Sequence, residues 1–157
     1  MNDSCTKIMC EMTYGIYVLT VRYKDAINGM IASWVSQISF DPQLVSVAIH
    51  PNRYSHDLVS KSGSFALHII DRKQKQLLAN FKGPDPAAKF ASLKWRDGIT
   101  GCPILSYCIG SMECRVVQTL SPGNHTLFIG EVVDTVFNGK QTPLSTLDYD
   151  GCYMGKD

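Results

Sequence analysis

Residues 107–138 hold two long extended patterns, 107–120 and 125–138, separated only by Ser121-Pro122-Gly123-Asn124. Two such runs joined by so short a turn read as a β-hairpin, the strongest structural signal in the chain. The remaining extended segments are shorter. Residues 15–23 (GIYVLTVRY) are rich in β-branched and aromatic side chains and stop at Lys24-Asp25, a strand followed by a turn. Residues 28–39 are expected to pair back with it. The runs 44–49 (LVSVAI) and 64–70 (SFALHII) are continuously apolar, which suits strands covered on both faces, or covered on one face by another subunit. A homodimer is therefore expected. Helical spacing appears at 56–62, with Leu58 and Val59 ahead of a stop at Gly63, and at 71–81, with Leu77, Leu78 and Phe81 as its apolar stripe. Gly83-Pro84-Asp85-Pro86 is a rigid turn before a short helical piece, 87–93. Residues 100–105 carry Gly101 and Pro103 and read as a loop or edge segment. Short strands with a few interposed helices, no repeat and no linker predict a mainly β antiparallel barrel in one domain, 1–157.

Composition narrows the functions open to such a fold. Of 157 residues 45% are hydrophobic, enough for a sizeable core, and the net charge is only +1. That charge gives no long-range field for nucleic acid or an acidic membrane surface, so any anion site must be local. The N-terminus lacks the basic start and apolar run of a signal peptide, and no stretch approaches the ~20 apolar residues of a membrane span. A cytoplasmic protein with neither nucleic acid nor membrane as partner is expected. The six cysteines form no CxxC pair and read as free thiols. Cys102, Cys108 and Cys114 recur every six residues, but with Cys108 and Cys114 on one strand they would lie about 20 Å apart, too far for one metal ion. His50, His56, His68 and His125 lack the spacing of a metal motif and read as capping or packing residues, so no metal is expected.

A candidate site lies in NGMIASWVSQISFDPQLVSVAIHPNRYSH, residues 28–56. Asn52, Arg53, Ser55 and His56 sit where a strand gives way to a helix at 55–61. The first turn of a helix leaves several backbone N–H groups without partners, and side-chain donors beside them make a cradle for a dianion. The alternative is that Ser55 or Asn52 is an ordinary N-cap and Arg53 a solvated charge. Upstream, the small Ala32, Ser33 and Ser36 would let a planar ligand approach the backbone, with Trp34 and Val35 as apolar walls. Here too there is a plainer alternative, in which Trp34 is core and the serines are the outward face of a strand. Together the two halves suit a flat molecule with a phosphate tail.

The ordered set Asn28-Gly29, SFDPQL, the NRYSH loop, TGCPIL at 100–105 and GNHTLFIGEVVD at 123–134 resembles the flavin reductase-like family over nearly the whole chain. It is similar in particular to the flavoprotein module of high-molecular-weight rubredoxins and to flavoredoxin-like proteins. The resemblance implies the FMN-binding split barrel, a homodimeric six-stranded Greek-key barrel holding FMN noncovalently near the subunit interface. On this resemblance Ala32 to Ser36 face the flavin ring, Asn52, Ser55 and His56 surround its phosphate with Arg53 in the same loop, and Phe81, Lys82 and Gly83 close over it. His125 falls in a Gly-Asp-His pattern that borders the nicotinamide, with Asn124 in place of the acid. The implied activity is an NAD(P)H-dependent flavin oxidoreductase that passes electrons to free flavin, a separate rubredoxin-type iron protein or oxygen. The protein's task in such chemistry is alignment and electrostatics, with no catalytic nucleophile or base and His125 at most orienting. The alternative is an FMN-binding electron carrier with no NAD(P)H reactivity of its own. A vitamin B6 phosphate oxidase of related fold is disfavoured by the scattered basic residues, and a binding module without catalysis remains a third class. With no GxGxxG fingerprint, the donor is written as NADH or NADPH.

Overall fold

The structure is a computed structural model and describes residues 3–149. The chain begins with α1 (Asp3–Cys10), followed by the strands β1 (Tyr17–Tyr23), β2 (Ala26–Ala32), β3 (Val35–Phe40) and β4 (Gln43–Ile49). Then come α2 (Tyr54–Ser62), β5 (Ser64–Ile69), a 3-10 segment (Arg72–Phe81) and α3 (Pro86–Phe90). The strands β6 (Trp95–Asp97), β7 (Pro103–Leu105), β8 (Gly110–Leu120) and β9 (Thr126–Phe137) complete the sheets, ahead of a last 3-10 turn, Thr146–Asp148.

The expected hairpin is β8–β9, and it forms the middle of an antiparallel seven-stranded sheet in the order β2-β1-β5-β8-β9-β4-β3. The two edge strands are consecutive in sequence and joined only by Ser33 and Trp34, so the sheet curls until its edges meet at that junction. No ladder closes the gap, and the barrel is split. Seven strands stand in the sheet rather than six because residues 28–39 do not form one strand. The β1–β2 ladder runs from Tyr23↔Ala26 to Tyr17↔Ala32, where β1 ends; Val35 onward has no partner there and pairs with β4 from Val47.

The run 64–70 is buried on both faces, as its composition predicts, and 44–49 is buried or half-buried throughout. Along β1, Leu19 and Val21 point into a core shared with Leu58 and Val59 of α2, Phe65 and Leu67 of β5, and Val47, Ile49 and Phe128. The intervening Val18 belongs to a second core on the opposite face, with Ile16, Ile70, Leu78, Phe81, Phe90 and Leu144. Period-two alternation thus supplies both cores from one strand. Helix α2 stops where expected, at Gly63, whose left-handed φ of 66° lets its N–H reach Val59 O at 2.9 Å.

Several details differ from the sequence expectation. Residues 71–81 form a 3-10 segment from Arg72, capped by Asp71 and kinked at Gln74, rather than a regular α-helix, although Leu78 and Phe81 do face the core. Helix α1 and the small β6–β7 ladder carry no strong periodicity and were not expected. Cys108 precedes β8, so it does not share a strand with Cys114. Cys10 is disulfide-bonded, which corrects the expectation of six free thiols. Cys5 is free and exposed, whereas Cys102, Cys108 and Cys114 are free and buried. Burial pushes the Cys108 thiol up to about 11 and that of Cys114 to about 12, so neither is a nucleophile near neutrality. Among the described residues, no helix is long and apolar enough to cross a membrane.

Candidate flavin site

The site lies where the split edge of the sheet meets the start of α2. Both edge strands leave a row of backbone N–H and C=O groups without ladder partners, and the two strands are joined through Ser33–Trp34. Ala32 and Ser33 are buried, whereas Trp34 is 37% exposed and Val35 is half-buried beside an exposed Ser36. Trp34 is therefore not ordinary core. Its carbonyl accepts from Ala48 N at 3.0 Å, which ties the junction to β4.

Three histidines gather around this junction. The His125 ring lies 4.6 Å from that of Trp34 and 5.0 Å, edge-on, from that of His50. Asn124 Oδ1 and His125 Nδ1 are 2.8 Å apart, so the residue in the place of the family's acid is a hydrogen-bond partner of the imidazole. His50 follows the end of β4, and its Nδ1 accepts from the backbone N–H of Asn52 at 3.3 Å. His56, in the first turn of α2, bonds Thr126 Oγ1 at 2.8 Å and packs edge-on against Phe128. Partial burial holds its pKa below the ordinary histidine value, with nearby His50 acting in the same direction and Asp57 opposing. The start of β9, the end of β4, the start of α2 and the β2–β3 junction thus converge.

The helix start itself is built to be left open. Arg53 is the N-cap and makes no side-chain cap, and Ser55 lies inside the first turn, so neither Asn52 nor Ser55 serves as the cap that the plainer reading allows. First-turn amides without a side-chain acceptor, at the positive end of a nine-residue helix, suit an anion. Ser55 adds a specific donor. Its Oγ accepts from Asn28 Nδ2 at 2.9 Å, and none of its hydrogen bonds to the described residues uses its own O–H. Asn52 and Arg53 are exposed beside it. A phosphate needs such donors, and the residues present fit one.

Phe81, Lys82 and Gly83 make no hydrogen bond or ring contact with this cluster. The Phe81 ring is buried in the second core against Phe90, and so close to β2 that a Cβ built on Gly29 would fall 2.5 Å from it. Lys82 and Gly83 are exposed on the adjoining loop. Two polar residues went unnoticed in the sequence: Asn28, seen there only as part of Asn28-Gly29, and Lys89, whose Nζ bonds Asn28 Oδ1 at 2.9 Å and Gly29 O at 3.0 Å. A lysine in a helix of five residues gives no sequence signal of burial. His68, in contrast, is a packing residue between β1 and β7, far from the cluster in the sheet order. Among the described residues, no group of three or more His, Cys, Asp or Glu side chains could share a metal ion.

Comparison with known proteins identifies the family and the fold. Residues 9–155 match the model of the flavin reductase like domain. A high molecular weight rubredoxin of Moorella thermoacetica is 28% identical over 92% of the chain, which spans 65% of that relative's length. A ferric-chelate reductase (NAD(P)H) of Archaeoglobus fulgidus is 27% identical over 93% of the chain and 89% of its own length. Among solved structures, an FMN-binding protein of Thermus thermophilus superposes with a TM-score of 0.74 at 27% identity, covering 81% of this chain and 72% of that one. The open antiparallel barrel, the matched domain and these relatives together make the chain a member of the flavin reductase-like family with the split-barrel fold.

Proposed function

We propose that the chain is a cytoplasmic, homodimeric flavoprotein that holds FMN noncovalently and passes electrons from NADH or NADPH to an acceptor. The observation that carries this reading is the presence of an uncapped helix start, with Ser55 inside it, and a cluster of Trp34 and His125 at the junction that joins the two sheet edges. Bound FMN would supply the redox chemistry, accepting a hydride equivalent from a reduced nicotinamide and releasing electrons to the acceptor. The chain's own residues bind and orient. Backbone groups from Ala32 to Ser36 hold the ring and favour its reduced, anionic form; Asn52, Arg53, Ser55 and His56 hold the phosphate. His125 borders the nicotinamide, and Lys82 and Gly83 close over the ring from a loop anchored by Phe81.

The dimer is supported by exposed apolar side chains on one half of the sheet. Ile38 and Phe40 of β3 and Val117 and Leu120 of β8 are all exposed, and the ladders place Gln37, Val45, Gly130 and Val116 on one line across these strands. Candidate acceptors are free flavin, oxygen, a ferric chelate as the name of the Archaeoglobus relative suggests, or a separate rubredoxin-type protein. A second reading, an electron carrier reduced by a protein donor, is favoured by one feature: Asn124 is neutral where the family pattern carries an acid. Titration of the purified, flavin-free protein with FMN tests the common core of both. Stoichiometric uptake with a bound-flavin spectrum is expected; a protein that stays colourless would overturn both readings.

A further inference from the structure

Lys89 is 7% exposed, Asn28 3% and Ser55 1%, and the three form a continuous buried chain from α3 through β2 to the first turn of α2. Its polarity is dictated by chemistry. An ammonium group can only donate, so Lys89 draws the carboxamide oxygen of Asn28 towards itself. That turns the Asn28 NH2 towards Ser55, whose oxygen must then accept, and the serine proton is left to donate elsewhere. Lys89 bonds only neutral oxygens, those of Asn28 and Gly29, and makes no ion pair with any described carboxylate. An unpaired buried charge is costly, and chains of hydrogen bonds in a low dielectric strengthen one another. Asp85 acts on Lys89 only from a distance, and a bound anion at the far end of the chain would supply further negative charge.

We propose that Lys89 and Asn28 are positioning residues which commit the Ser55 hydroxyl to donating to the flavin phosphate, and that they thereby make the chain discriminate FMN from riboflavin. The inference rests on the flavin reading above. Without Lys89, Asn28 is free to present its oxygen to Ser55, and the hydroxyl turns inward to meet it. Asn28→Asp has the same effect by a different route, because a carboxylate accepts from Lys89 and Ser55 at once while relieving the unpaired charge.

The test is the pair of dissociation constants for FMN and riboflavin, measured by quenching of flavin fluorescence on flavin-free wild type, Lys89→Met and Asn28→Asp, with thermal melts of each. The expected result is a loss of about tenfold or more in FMN affinity in both variants, the scale of one hydrogen bond to a charged group, with riboflavin affinity changed by less than about twofold. Asn28→Asp is expected to melt no lower than wild type, and it decides the matter if Lys89→Met does not fold. A merely structural role would weaken both ligands together and leave their ratio unchanged, which would overturn the inference. Wild type that binds both ligands equally well would overturn it too, by removing the phosphate contact while leaving flavin binding intact. Wild type that binds neither would overturn the flavin reading and this inference with it.

Discussion

At the scale of single residues, the strongest commitments are buried polar groups whose partners are fixed. His68 is fully buried; its Nδ1 donates to Val18 O at 3.1 Å and its Nε2 accepts from Leu105 N at 3.1 Å, so both ring nitrogens are satisfied only in the neutral form. Burial pushes its pKa down to about 4 against an ordinary 6.5. A depressed histidine stabilises the fold above its unfolded pKa, and that contribution is lost as pH falls from 6.5 through about 4, amounting to about 3 kcal/mol by pH 4. Urea denaturation of wild type and His68→Gln between pH 7 and 4 should show the wild type losing more stability by roughly that amount; parallel curves would contradict the assignment. Glu113 is a second such residue, its carboxylate accepting from Ile99 N, Thr100 N and Thr100 Oγ1. Glu113→Gln turns one accepting oxygen into a donor facing donors, and a loss of about 1–3 kcal/mol is expected in the same assay. The packing role of His68 was legible in the sequence, but neither its partners nor the role of Glu113 was. A histidine or glutamate inside an extended run gives no sign of which backbone groups will surround it, since both sets of partners come from segments more than ten residues away.

Among the elements, what could be read was what local chemistry decides. The 107–138 hairpin, the stop of α2 at Gly63 and the two-sided burial of β5 follow from turn residues, a left-handed glycine and an apolar run. The candidate loop at 52–56 was visible because helix starts have a recognisable polar signature. The break at Ser33–Trp34 was not, because it depends on where the pairing with β1 stops, at Tyr17, and that with β4 starts, at Val47, a property of pairing rather than of the segment itself. Phe81 was legible as an apolar helix residue, and the structure packs it against Phe90 and Gly29 of β2. That contact gives a direct prediction. A methyl group at Gly29 would meet Phe81 at 2.5 Å and Phe90 at 3.3 Å, both rings being buried. Gly29→Ala should therefore destabilise the fold by about 1–3 kcal/mol in urea denaturation, and because Gly29 neighbours Asn28 and bonds Lys89, it should also weaken FMN binding. An unchanged midpoint would show that the rings adjust without cost.

For the whole molecule, the open barrel explains why cofactor and partner subunit are proposed on the same half of the sheet. Splitting the barrel leaves two edges whose backbone groups lack ladder partners; the exposed Ile38 and Phe40 lie on the edge strand β3, and the exposed Val117 and Leu120 on the central strand β8 of the same half of the sheet. Sedimentation of wild type is expected to give a dimer, and Phe40→Glu with Ile38→Glu a folded monomer of reduced flavin affinity; a wild-type monomer that binds FMN fully would separate the two properties. The proposed entry of electrons from a nicotinamide at the Trp34–His125 cluster is tested by the visible spectrum of the FMN-loaded protein under anaerobic conditions as NADH, then NADPH, is added. Rapid bleaching by one of them, slowed in His125→Ala, is the result this account expects. A flavin spectrum that persists until dithionite is added would contradict it and leave the protein an electron carrier served by another donor.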